Sequence, residues 1–423
     1  MERDSIAAHK TGRKWSPAAL LCCAGCIVTI AAFGSHLLSL SAARTAHLSR
    51  DWKAVLFILL GALLLAIVLA TAALARRVSG NLPHLQPRKA GTGLWPVFAL
   101  LVTAHLLFAF LIVRPGSGVA IDVYTFQKAA CQNLLKGIDP FGTTQANIFD
   151  ARGTSRYYAP GLVADGRVQE GFQYPPLTLF WALPGFVLGD VRLSYIFAVI
   201  VSAWLLFALS PDNRGLAIVC VLLLSPLTFV VEFCSYTEPL VYMALCATIY
   251  AAVKKCWWLP IALGLFLATK QYNLFALPLI AYFVHRSEVK AYWRLVGLSL
   301  ITAAVTVVPF AFWNLRALWH DMVLFNLMQP YRLDSLSLGV LFPWIMKIDP
   351  VLVLAFVVWA LWAGNRSAAT FPAAYGVGLL LLCFFSTKAF ANYYFLAAQA
   401  FFLSIAALSA AEDKNVAQGS FAS

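Results

Sequence analysis

Apolar runs separated by short polar connections set the pattern of this chain. Runs at about 17–40, 53–75 and 94–113 each come close to the ~20 residues a bilayer-spanning helix needs. A long polar interval follows at 114–175. It opens on Ile121-Asp122-Val123-Tyr124 and closes on Phe172-Gln173-Tyr174-Pro175-Pro176-Leu177. Four more runs occupy about 176–188, 192–209, 215–231 and 238–253. The first is the shortest, opened by Pro175-Pro176 and broken by Pro184. At ~1.5 Å per residue it is too short to span, which predicts an interfacial or re-entrant helix. Runs at 257–270 and 272–285 read as a hairpin of short helices with Thr269-Lys270-Gln271-Tyr272 at its tip. A helix at 294–312 leads into a second polar loop, 313–335, and the run at 336–347 is again too short to cross. Helices at 350–363, 371–386 and 393–411 complete the set, and the tip between the last two carries Lys388 and Asn392. The pattern predicts an all-α polytopic membrane protein of about twelve transmembrane helices, with short interfacial helices in its outer loops.

Basic residues orient these spans. Arg76-Arg77 through Arg88-Lys89 is a short basic loop, as are Lys254-Lys255 and His285-Arg286 through Arg294. Lys and Arg in short loops mark the cytoplasmic side, so the 114–175 loop lies outside. An odd number of crossings must then separate Tyr174 from Lys254. With 176–188 lying in the interface, the other three runs satisfy that parity, and both termini are cytoplasmic. The basic start (Lys10, Arg13, Lys14) precedes an apolar run too long for a signal-peptide core, so a retained helix is expected. The predicted layout has an N-terminal segment with two helices at 1–93, a membrane domain at 94–411 and a cytoplasmic tail at 412–423.

Composition agrees. The 423 residues are 61% hydrophobic and 12% charged, too apolar to cover the surface of a soluble protein. The net charge of +13 would point to nucleic acid in a soluble chain. Here it follows from the basic loops, and no basic patch with interleaved aromatics supports a nucleic-acid partner. Six of the nine cysteines, including Cys22, Cys23 and Cys26, lie in apolar runs, where Cys packs as a small hydrophobe. There is no D-x-D element and no phosphate-binding G-x-x-x-x-G-K-[ST]. Zinc-protease H-E-x-x-H and serine-hydrolase G-x-S-x-G are absent too. No metal or other cofactor is expected.

On this topology several polar groups reach the outer boundary: Asp122, Glu238, Lys270, Gln271, His320, Asp321, Gln329, Tyr331, Arg332, Asp334, Lys388 and Asn392. Ionisable groups at membrane depth are costly and mark functional sites. Asp122 is the candidate base, at the point where a helix leaves the bilayer. Lys270, Arg332 and Lys388 are candidate cations for an anionic donor. The aromatics Tyr124, Tyr174, Tyr272, Tyr331, Tyr393 and Tyr394 are placed to stack on sugar rings or to form an interfacial belt.

The order of these elements resembles the GT-C membrane glycosyltransferases, and within them glycosyltransferase family 87. The resemblance rests on Asp122 just after a helix, then Phe172-x-Tyr174-Pro175-Pro176-Leu177 and Leu267-Ala268-Thr269-Lys270-Gln271-Tyr272. Arg332-Leu333-Asp334-Ser335-Leu336-Ser337-Leu338 and Lys388-x-x-x-Asn392-Tyr393-Tyr394 follow in the same order. It covers roughly Leu94 to Leu408, and the two helices before Leu94 depart from the simplest family layout. It implies a polyprenyl-phosphate-linked hexose donor, such as mannose, and a glycolipid or glycan acceptor. Transfer takes place at the periplasmic face of the inner membrane, with inversion and without metal. The family's catalytic Asp falls on Asp122. Lys270, Arg332 and Lys388 become the donor-phosphate ligands, while Tyr124, Tyr174, Gln271, Tyr272, His320, Tyr331, Asp334 and Asn392 line the substrate site. A transporter of lipid-linked saccharides is the alternative.

Overall fold

Prolines and a capping acid decide where the helices start. The computed structural model describes residues 25, 94–113, 121–328, 335–338, 344, 347–363, 366–386 and 388–419. Proline occupies the first turn of α1 (Trp95–Ile112), α4 (Pro176–Val187), α7 (Pro226–Phe233), α8 (Glu238–Val253), α9 (Leu259–Thr269) and α13 (Phe371–Phe385). There its missing N–H has no partner to lose and its fixed φ suits the helix. At α6 (Asn213–Leu224) the Asp212 carboxylate accepts from the amides of Arg214 and Gly215 at 2.9 and 2.8 Å. The other helices are α2 (Asp122–Leu135), α3 (Ala151–Tyr157), α5 (Arg192–Leu209), α10 (Val289–Trp319), α11 (Phe325–Met328), α12 (Asp349–Ala363) and α14 (Ala391–Gly419).

The main core forms where α5, α6, α8, α9, α13 and α14 meet, with Leu222, Leu245, Leu263, Tyr375 and Leu403 fully buried. By length and composition, three helical stretches among the described residues are long and apolar enough to cross a membrane: Arg192–Leu209, Val289–Met328 and Ala391–Ala411. The pair α6 and α7, bent by 47° at Ser225, makes a fourth when taken as one span. A bend of that size leaves both halves running the same general way. α10 turns Ile301, Val305 and Phe312 outward, the last 88% exposed. An uncovered apolar face of this kind suits a hydrocarbon surrounding. His105 of α1 secures the break between α6 and α7. Its Nδ1 donates to the Leu223 carbonyl at 2.7 Å, and its Nε2 lies 2.9 Å from Glu232 Oε1. That carbonyl belongs to the last turn of α6, where helical partners run out.

Several expectations change. The 272–285 run is not an α-helix but two 3₁₀ stretches, Gln271–Ala276 and Pro278–Phe283, divided at Pro278. The helix expected to stop at 312 breaks at Asn314, two residues later; a second helix then runs to Trp319, and a π-helical turn, His320–Leu324, joins it to α11. The described polar residues of the expected loop beyond Asn314, from Arg316 to Asn326, sit on helix. The only irregular residue inside α10 is Asn314 (φ −159°, ψ 82°), whose side chain restarts the helix by accepting from the Ala317 amide at 3.1 Å. The 121–175 segment also carries a small antiparallel sheet, β1 (Gln145–Ala146), β3 (Arg167–Val168) and β2 (Val163–Ala164) in that order, which the all-α reading did not contain. Apart from Gly25, the run at 17–40 lies outside the described residues, as do the run at 53–75, the basic loop 76–89, the link 114–118, Gln329, Tyr331, Arg332 and Asp334.

Candidate functional site

The helix that follows Asp122 is amphipathic, and its buried face fixes where Asp122 sits. Val123, Phe126, Gln127, Ala130 and Cys131 turn inward. Gln127 donates to the Ser235 carbonyl at 3.0 Å and accepts from the Tyr195 hydroxyl, so α2 is pinned to the corner between α7 and α8. Asp122 is the first residue of α2, not its cap; Ile121 holds the cap position. Its Oδ1 accepts from the Val123 amide at 2.8 Å. Tyr124 reaches away from it. Its hydroxyl contacts Asp190 at 3.4 Å, and Arg192 lies 5.1 Å over its ring. Arg192 is buried and bound to Asp190 at 2.6 Å, and the contacts of Tyr124 with both tie α2 to the start of α5.

Tyr174 lies at the centre of the arrangement. Its phenol is within electrostatic reach of Asp122, Glu238 and Tyr393. The Lys270 ammonium sits 4.3 Å from the centre of its ring. Lys270 is only 5% exposed; its Nζ donates to Thr237 Oγ1 and to Glu238 Oε1, the latter at 3.2 Å. The Tyr272 hydroxyl donates to the same Glu238 oxygen at 3.2 Å, and its ring packs edge-on against Tyr393. Gln271 donates to the carbonyls of Gln173 at 2.7 Å and Met322 at 3.0 Å. The buried Lys–Glu pair is neutral as a unit, the form in which an interior tolerates two charges.

Lys388 joins this group through Asn326, whose side chain donates to the same Gln173 and Met322 carbonyls as Gln271. Lys388 donates to the Asn326 carbonyl at 3.3 Å. Asn392 is buried, and its Oδ1 finds no hydrogen-bond partner among the described residues. His320 Nδ1 lies 3.1 Å from Asp321 Oδ1 and 3.1 Å from Glu170 Oε2. Burial pushes the Glu170 carboxyl up to about 8; Asp321 adds to the rise and His320 opposes it. Glu170 and Thr237 escaped the sequence reading. Glu170 reads as one more polar loop residue, and its only local mark is its place beside Gly171-Phe172.

Chemically, the arrangement offers a half-buried carboxylate at a helix start and a lysine set over the rings of Tyr174 and Tyr272. Comparison with models of known protein families, with curated proteins and with solved structures returned no match.

Proposed function

We propose that the protein is a multi-pass inner-membrane glycosyltransferase of the GT-C kind, with about twelve spans. In this reading it moves a hexose, mannose being the sugar its motifs favour, from a polyprenyl-phosphate carrier to a glycolipid or glycan acceptor at the periplasmic face. The observation that carries the proposal is the gathering of Asp122, Lys270 and Glu238, from three separate stretches of the chain, around the phenol of Tyr174. The acceptor hydroxyl loses its proton to the Asp122 carboxylate as its oxygen attacks the anomeric carbon. The bond from that carbon to the carrier phosphate breaks, and polyprenyl phosphate leaves with the electron pair. Arg332 and Lys388 answer the charge that grows on the phosphate. Lys270, held by Glu238, orients Tyr174 against the sugar.

The test is transfer from polyprenyl-phosphate mannose by the purified protein in lipid nanodiscs, with Asp122→Asn beside it. Asn keeps the acceptor oxygen that receives the Val123 amide, so folding is unchanged. An amide takes no proton, so transfer falls by ~10²-fold or more. Wild-type rates from Asp122→Asn would remove Asp122 from the chemistry.

One observation favours a second reading, a transporter of lipid-linked saccharides. The broken helix α6–α7 and the buried His105–Glu232 pair resemble the discontinuous helices and intramembrane ionisable groups of transporters. Reconstituted protein that moves a fluorescent lipid-linked saccharide between leaflets, with no transfer, would decide for it.

A further inference from the structure

The side chains of Glu170, His320 and Asp321 present one ligand atom each within 4.8 Å of one another. Ligands bound ~2.1 Å from one metal ion lie ~3–4 Å apart, so a small inward movement closes a shell on a single ion. The set is built rather than incidental. Asp321 is held by the Gly171 amide, which donates to its Oδ2 at 2.8 Å. Glu170 is 2% exposed and Asp321 3%. The His320 side chain is 42% exposed, so the cluster keeps an open side for ion entry and for water ligands.

A second observation points to a missing positive charge. Oε2 of Glu170 has only the His320 ring nitrogen, 3.1 Å away, and Oε1, buried like it, finds no hydrogen-bond partner among the described residues. Oδ2 of Asp139, a carboxylate close enough to Asp321 to act on it electrostatically, is likewise without a donor. Two buried carboxylates, Glu170 and Asp321, therefore share one imidazole. Buried acids without donors are costly, and native structures pair them or give them a metal. His320 and Asp321 lie on a π-helical turn, a distortion that often occurs at functional sites.

We propose that Glu170, His320 and Asp321 bind a divalent metal cation that fastens the 170–174 segment to the end of α10. Two carboxylates and an imidazole suit a borderline first-row ion such as Mn²⁺ or Zn²⁺ better than Mg²⁺, which prefers oxygen ligands and keeps more of its water. The ion clamps the stretch that carries Tyr174. Its binding is independent of the glycosyltransferase reading, because it is measured directly and not through turnover.

The full-length protein in detergent, with any affinity tag removed, is stripped with EDTA and titrated with Mn²⁺ under electron paramagnetic resonance. The free aqueous signal should disappear up to one ion per chain, and excess Zn²⁺ should restore it. Spin-echo spectra of the bound ion should show coupling to an imidazole nitrogen. Asp321→Asn and Glu170→Gln should weaken binding by ~10-fold or more, and His320→Ala should also remove the nitrogen coupling. If the carboxylate variants do not fold, the wild-type nitrogen coupling and its loss in His320→Ala, a partly exposed site, still decide. No saturable Mn²⁺ or Zn²⁺ binding by the wild type would overturn the proposal. So would binding that lacks nitrogen coupling or that all three substitutions leave unchanged.

Discussion

Lys270 places its ammonium 4.3 Å from the centre of the Tyr174 ring while the same nitrogen bonds Glu238 at 3.2 Å. Residues from α8, from the end of α9 and from the stretch before α4 thus share one buried charge pair. An ammonium over an aromatic face adds about 0.5–2 kcal/mol, more as water is excluded.

The pair should fail asymmetrically. Lys270→Met leaves Glu238 buried without its cation and should destabilise the protein by about 3–5 kcal/mol. Lys270→Met combined with Glu238→Gln removes both charges and should recover most of that loss. Thermal unfolding of the detergent-solubilised proteins measures both. Equal destabilisation by the single and double variants would show that the two groups are not coupled.

The phosphate-binding reading of Arg332 separates charge from shape. Arg332→Ala should lower transfer from polyprenyl-phosphate mannose by about 10²-fold, the scale of losing one charge-stabilising donor. Arg332→Lys keeps the charge but not the planar fork, so it should remain impaired. Full activity in both Arg332→Ala and Lys388→Ala, measured on folded enzyme, would place the donor phosphate elsewhere.

Topology rests on whether α4 crosses. It has 12 residues, or ~18 Å of helix, and contains Pro184. With α4 in the interface and α6–α7 as one bent span, a cysteine at Leu188 should react with an impermeant thiol reagent from outside. One at Asn213 should not. Leu188 is the suitable position because it is 76% exposed, whereas the neighbouring Gly189 has φ +115°, which a cysteine adopts only under strain. The opposite labelling pattern in a background free of native cysteines would make α4 a span and α6–α7 re-entrant.

Gly171 has no room for a side chain. A Cβ there would lie 2.4 Å from Asp321 Oδ2 and 2.6 Å from the carbonyls of Pro140 and Phe141. Two of the three obstacles are backbone, so neither can swing aside. Gly171→Ala should therefore pull the 170–174 segment from the π turn and lower stability by about 1–3 kcal/mol, the usual cost of overpacking. Unchanged thermal stability, with unchanged proteolysis of the 140–175 stretch, would mean the contact is looser than these distances.

The bounds of α5 and α8 were legible in the sequence because their ends are punctuated locally. Asp190 precedes α5, Ser210-Pro211-Asp212 follows it, Glu238-Pro239 opens α8 and Lys254-Lys255 closes it. Tertiary structure alone decided the partners of the charges. Lys270 meets Glu238 across 32 positions, and Gly171 meets Asp321 across 150. Nothing in either local stretch names its mate; the partner is set by how the helices pack. The same holds for the end of α10. Trp313 to Asn326 contains enough polar residues to look like a loop. Yet Leu318, Asp321 and Phe325 find buried places on one side while Phe312, Leu315 and Trp319 stay exposed on the other. Helix resumed after the break at Asn314 because packing on a single face outweighed a polar composition, a balance struck only once the neighbouring segments were in place.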